Sequence, residues 1–392
     1  MATRLYTRNA VLLAKIETTE GTDPSPTGAS NAVLCSELSV SPLEGSTVDL
    51  AYIRPYFGKS PSLRVEDFVT ISLTCDLAGT GGAGTAAPWG PLIRACGMSE
   101  TLLASAVTGS AQSANISSIT LAAGSSAVDG IYAGATITIT SGTGSGQSRT
   151  ITAYNGVTKA ATVSKNWATT PAAASGYSIS ANASYSPVST AFESITLYFN
   201  QNGVRHKATG CRGNVSFDMT SNQRPTLKFT FTGIYNAVVD ASETGVVFTN
   251  WQVPVAVNSI NSSALIQGKQ ADGSATGVQL MSFTMDMGNA VTHRMLVGSE
   301  NVVLTDRQAQ GSVSIEATTV TFNDWWSQVR ASTKSPFLIE NGTAAGNTCS
   351  ILLPNAQLTD PKYSDSDGVV MLDQSILALP TVGNDEIRLV VK

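Results

Sequence analysis

Charge is what this chain has least of. Only 13% of its 392 residues are Asp, Glu, Lys or Arg, and the formal net charge is −5. A nucleic-acid surface that works by displacing counterions needs clustered Lys and Arg, and no such cluster occurs. Histidine appears only as His206 and His293, neither with a second ligand at metal-binding spacing, and each is expected on a sheet surface. The five cysteines, Cys35, Cys75, Cys96, Cys211 and Cys349, form no CxxC pair and are odd in number, so they read as reduced, buried thiols. No apolar run approaches the ~20 residues of a bilayer span, and MATRLYTRNAVLLAK lacks the core and cleavage site of a secretion signal. The expectation is a soluble protein that stays where it is made. There is no GxSxG elbow and no set of nucleophile, base and orienter, so an enzyme is not expected, nor any cofactor or metal.

What is present is period two. In Phe192 to Tyr235, Ile195, Leu197 and Phe199 alternate with Thr196 and Tyr198 before an Asn202-Gly203 turn. Val215, Phe217 and Met219 then alternate with Ser216 and Asp218, and Leu227, Phe229 and Phe231 with Lys228, Thr230 and Thr232. Such strands bury one face and offer hydroxyls to water or to a neighbouring subunit. Val33 to Val40, Val69 to Leu73 and Leu280 to Met287 read the same way, and abundant Gly, Ser, Thr and Ala complete an all-β composition.

Order repeats as well. A long connection from Gly45 to Asp67 has its counterpart from Gly288 to Gly311. The segment Trp89 to Ala95 matches Trp325 to Ala331, with Arg94 and Arg330 five positions after each Trp, and each predicts one short helix. Between them, residues 110–182 almost lose their charge and fill with Thr, Ser, Gly and Ala around Ile137, Ile139, Ile151 and an Asn155-Gly156 turn. The expected layout is therefore a first β domain over 1–109 plus 183–238, an inserted small β domain over 110–182, and a second β domain over 239–392.

Two motifs are read as loops. Gly79-Thr-Gly81-Gly82-Ala-Gly84 fits GxGxxG, but Ala-Ala-Pro88-Trp89 separates it from the helix whose amides would face a pyrophosphate. Asp360, Asp365 and Asp367 lack the register and closing Glu of a calcium loop.

Taken together, LLAKIETTEGTDPSPTGASNAVLCSELSVSPLEGSTV, AAPWGPLIRACGMSET, FESITLYFNQNGVRHKATGCRG, LVGSENVVLTDRQAQGSVSIEA and LTDPKYSDSDGVVML resemble the tail tube (major tail) proteins of long-tailed, non-contractile bacteriophages. The resemblance spares only about 110–182, which is similar to small β modules of other phage tail proteins. It implies a virion protein assembled in the host cytoplasm. Two tandem tube-type β sandwich or barrel domains per chain, each with one helix, would let three copies close a ring of pseudo-sixfold symmetry; a homohexamer is the alternative. Rings would stack around the tape measure protein and later the passing DNA, with baseplate and tail terminator proteins at the ends. The two long connections match the family's stacking loop, which singles out Tyr52, Arg54, Tyr56, Phe57 and Arg64 in one and Arg294, Glu300, Asp306 and Arg307 in the other. A conduit for DNA should present hydroxyls and acids, and Asp218 with Thr220 and Asp373 with Gln374 are the lumen candidates. Competing readings are a baseplate or decoration protein, and a carbohydrate-binding module using Trp167 and Tyr154 of the insert.

Overall fold

The computed structural model describes residues 4–6, 8–272 and 277–392, so the extreme N-terminus of the first expected domain and residues 273–276 of the last lie outside the described residues. Among the described residues eight strands lie side by side: β1 (Glu37–Glu44), β2 (Phe68–Asp76), β3 (Val204–Thr220), β4 (Thr226–Tyr235), β5 (Leu280–Asp286), β6 (Gln310–Glu316), β7 (Cys349–Ser366) and β8 (Val369–Ala378). Their spatial order is β1-β2-β4-β3-β5-β6-β8-β7, and every neighbouring pair is antiparallel. One succession thus occurs twice: edge strand, projecting arm, second strand, short helix, long strand, returning strand. The helices are Gly90–Arg94 and Trp325–Arg330, with a further single turn at Gly28–Asn31.

The long strands β3 and β7 serve two layers. Each carries a bulge, at Thr209/Arg212 and Thr359/Lys362, where the chain bends. Beyond the bend their N-terminal halves leave the ladder. That half of β3 pairs with Ile195–Gln201, which pairs with Ala10–Ile16; that of β7 pairs with Lys334–Asn341, which pairs with Ser262–Ile266. The core fills the space between the layers, with Phe217, Phe229 and Phe231 under one block and Phe283 stacked on Phe337 at 4.8 Å under the other. Trp89 and Trp325 are both enclosed. Their indole nitrogens donate to the Ala78 carbonyl (2.8 Å) and to Thr318 Oγ1 (2.9 Å), which lets so large a ring sit in a core without an orphaned N–H.

Turn chemistry follows the sequence. Asn202-Gly203 and Asp367-Gly368 both have positive φ at both residues, as tight hairpins with the native strand twist require. The glycine run around Gly79 serves a backbone contact: Gly81 N–H donates to the Gly346 carbonyl (3.0 Å), and a Cβ at Gly79 would stand 1.9 Å from that oxygen. No helix begins inside the run; the Trp89 helix starts later, at Gly90.

The two long connections differ: the second is a regular hairpin, while the first is irregular from 50 to 61 above a short paired base. Asn289–Leu296 and Ser299–Arg307 pair as a hairpin, here the second arm. Thr47–Asp49 and Ser62–Arg64 pair at the base of the other, here the first arm. Val107–Ser110 through Gly176–Ile179 form a seven-stranded sheet with its own core of Ile119, Ile137, Ile139, Ile151, Tyr177 and Ile179. The segment leaves from Met98–Leu103 and returns through Asn182–Pro187, which are paired neighbours.

Candidate functional site

Assembly surfaces are built from edges, faces and projections, and the chain offers two open edges, one polar face and two arms. Two ladder edges are open. Among the described residues β1 pairs only with β2, and the Lys362–Ser366 end of β7 pairs only with β8. An unpaired edge is a template for another strand. Large apolar side chains stand exposed beside these edges, Leu43 at one and Tyr363, Val369 and Val370 at the other. Between the edges, β3 of the first block is zipped to β5 of the second from Ser216↔Asp286 to Thr220↔Ser282.

The ladder has one polar face. Alternation along paired strands brings Ser39, Ser72, Thr230, Ser216, Thr284, Ser312 and Ser375 to the same side, with hydroxyl contacts at Ser72–Thr230 (3.3 Å) and Thr284–Ser312 (2.8 Å). Carboxylates Glu37, Asp218, Asp286, Glu316 and Asp373 share that face with Lys228 and Lys362. Asp218 accepts from Thr220 Oγ1 (2.9 Å) and pairs with Lys228 (3.3 Å); Asp373 accepts from Ser314 Oγ (2.5 Å). Gln374 does not belong with them. Its side chain points the other way, 2% exposed, with neither amide atom hydrogen-bonded, because its neighbours along the strand, Leu372 and Ile376, face the core and period two takes it with them.

The arms differ in how they are held. Arg54 lies over the rings of Tyr52 (5.8 Å) and Tyr56 (6.0 Å), and Phe57 is fully exposed, while Arg64 pairs with Asp67 at the base. In the second arm, Arg294 is exposed. Asp306 accepts from the Gln308 amide and the Arg307 N–H, which hold its carboxyl below the ordinary range. Arg307 is drawn inward instead, to Glu386 (2.5 Å), the Val188 carbonyl (2.8 Å) and Asn384 (3.1 Å), so it pins the arm's root to its own chain. His293 is enclosed and does not lie on an open sheet surface: Nδ1 faces Glu66 (2.9 Å) and Nε2 faces Glu300 (3.1 Å), and its hydrogen bond holds the Glu66 carboxyl below the ordinary range. Arg212 completes the seat, bidentate to Glu20 at 2.8 Å and donating to the Val302 carbonyl.

The insert is clamped to the second block. Lys392 Nζ donates to Glu340 (2.6 Å) and to the Gly134 carbonyl (2.9 Å), and Thr150 donates to the other Glu340 oxygen (2.7 Å). Trp167 and Tyr154 are 3% and 5% exposed. The stacking platform a sugar would need is therefore absent at both: Tyr154 packs edge-on to Tyr132 and donates to the Ser126 carbonyl (2.6 Å), and Arg149 covers Trp167.

The sequence model of the phage tail tube protein family matches residues 7–378. The chain belongs to that family. No curated protein sequence matches it. As a tail tube protein it is a structural component of the virion tail that assembles with itself. The features that sequence reasoning missed in this tail tube protein are the ion-paired locks, Arg307–Glu386, Arg212–Glu20, His293 between two carboxylates and Lys392–Glu340. Their partners lie up to 227 positions apart, and no local pattern marks them.

Proposed function

We propose that copies of the chain continue one another's ladder, three copies closing six blocks into a ring, and that rings stack into the hollow tube. The observation that carries this reading is the β3–β5 joint, where one block already extends the next inside a single chain. The blocks correspond through Thr70-Ile71-Ser72-Leu73 on β2 and Ser312-Val313-Ser314-Ile315 on β6, and through the pairs Phe68↔Ile234 and Gln310↔Leu377. Carried across a copy boundary, Asp218↔Thr284 becomes Ser366 of one copy opposite Ser41 of the next. Closure removes the last open edges, which otherwise invite uncontrolled aggregation. The exposed arm tips, with Tyr52, Arg54, Tyr56 and Phe57 on one and Arg294 and Val297 on the other, reach the adjoining ring. The lumen holds the tape measure protein and then the departing genome, and baseplate and terminator proteins cap the ends.

Purified protein is expected to form hollow filaments in micrographs, and native mass spectrometry of single rings to give three chains. Six chains per ring would replace this closure with a homohexamer, and a persistent monomer would overturn it.

The hydroxyl and carboxylate face lines the lumen, because phosphate finds few cations there to hold it. Thr230→Arg with Ser312→Arg should leave tail length normal yet slow genome ejection from purified virions, with the delay shrinking as salt rises. Ejection at the parental rate would place this face elsewhere.

A further inference from the structure

The two arms begin alike and end in different surroundings. Gly45 and Gly288 open them, both at positive φ and both so near the returning strand that a Cβ would strike the carbonyl of Glu66 or of Gln308. The second arm folds back across β3 and β4 of the preceding block. There Asn289 donates to the Cys96 (2.7 Å) and Gly213 (3.1 Å) carbonyls, Val302 is enclosed, and His293 sits 5.3 Å from the Phe68 ring, where Phe68 pairs with Ile234. Among the described residues the first arm has no such seat in its own chain. Val48, Tyr52, Ile53, Tyr56, Phe57 and Leu63 all stand exposed along it.

The repeat says where the matching seat is. Gln308 and Gln310 occupy the places of Glu66 and Phe68, and Leu377, paired with Gln310, occupies that of Ile234. With Leu379 and Pro380 these residues line an open groove of about 410 Å³ at the root of the second arm. In one chain the first arm springs from β1, at the opposite end of the ladder from β7 and β8. Resting on the ring closure proposed above, we infer that the first arm of each copy docks in this groove of the neighbouring copy in the same ring. Leu50 stands five residues after Gly45, as His293 stands five after Gly288, and it enters the groove. The change of residue suits the change of floor. An imidazole meets a carboxylate where the arm and its seat share a chain, and a Leu meets Leu377, Leu379 and Pro380 where they do not. Apolar contact is the interaction that a ring built from separate copies gains most by covering. Six arms then seat alike around the ring, three within chains and three between them.

Cysteine pairs in full-length protein test this. Leu50→Cys with Gln310→Cys probes the docking, and Ser41→Cys with Ser366→Cys probes the edge, both in a Cys35→Ser chain so that the native thiols left are the buried ones. Assembled tubes are oxidised mildly and run on a denaturing, non-reducing gel. Both pairs are expected to give covalent products that stop at the trimer. Trimers from the edge pair with only monomer from the arm pair would overturn the docking and keep the ring. A ladder from the arm pair that runs past the trimer would mean that Leu50 meets Gln310 of a copy in another ring, again overturning it. Monomer from both, with the protein sedimenting as single chains, would remove the ring and the docking together.

Discussion

Ser41→Asp combined with Ser366→Asp is expected to abolish tube formation while the chain itself still folds. In the proposed ring each seam between copies sets residue 366 opposite residue 41, so the double substitution confronts two carboxylates at every seam. Like charges ~4 Å apart near a protein surface repel by about 4 kcal/mol, whereas a favourable cross-strand pair contributes only about 0.2–1 kcal/mol. The repulsion wins at each seam and recurs around the ring. Neither position lies in a core, so circular dichroism and the melting temperature of the single chain should stay near the parental values. Ser41→Lys with Ser366→Asp places opposite charges at the same seam and should restore filaments, as seen by electron microscopy and sedimentation. Filaments from the Asp/Asp chain at the parental concentration would show that the copies meet elsewhere.

Lys392→Met carries the largest expected loss of stability, about 3–5 kcal/mol, the usual cost of stripping the partner from a buried charge. Glu340 is the charge left behind. Burial alone would raise its carboxyl pKa, yet the Lys392 charge, with hydrogen bonds from Lys392, Thr150 and Ser350, holds it below its ordinary 4.5. A carboxyl depressed in the folded state stabilises fully above that ordinary value, and the contribution is lost as pH falls through the folded value. Acid should therefore loosen the clamp below about pH 4.5 in the parent, and the acid-sensitive step should be missing from Glu340→Gln with Lys392→Met. Unfolding in denaturant across pH 3 to 7 measures both. A single Lys392→Met variant as stable as the parent would mean that the ammonium contributes little there. The double variant should recover much of the loss, because no unpaired charge remains.

How much of this was legible before the fold was known follows from how local each signal is. Ile195 to Phe199, Val215 to Met219 and Leu227 to Phe231 announced strands because alternation is a property of neighbours in sequence, and Asn202-Gly203 announced its hairpin for the same reason. The repeated Trp and Arg located both helices. Alternation also says that two faces differ without saying which residue takes which face beside a bulge. Asp373 and Gln374, adjacent in sequence, were read as one lumen pair although they must point to opposite sides. Trp167 and Tyr154 looked like a binding platform because small polar residues surround them in sequence; the insert closes over both. His293 was legible only as a lone histidine, since Glu66 belongs to the other block's arm.

Leu103 and Asn182 are cross-strand partners. The chain therefore departs into the insert and comes home across one strand spacing, about 4.8 Å. Any compact module whose own termini lie that close could be spliced there without respacing the wall. The Lys392–Glu340 pair would stay intact beneath it, since both residues belong to the second block. In the proposed tube, modules could in this way be exchanged while the bore keeps its gauge.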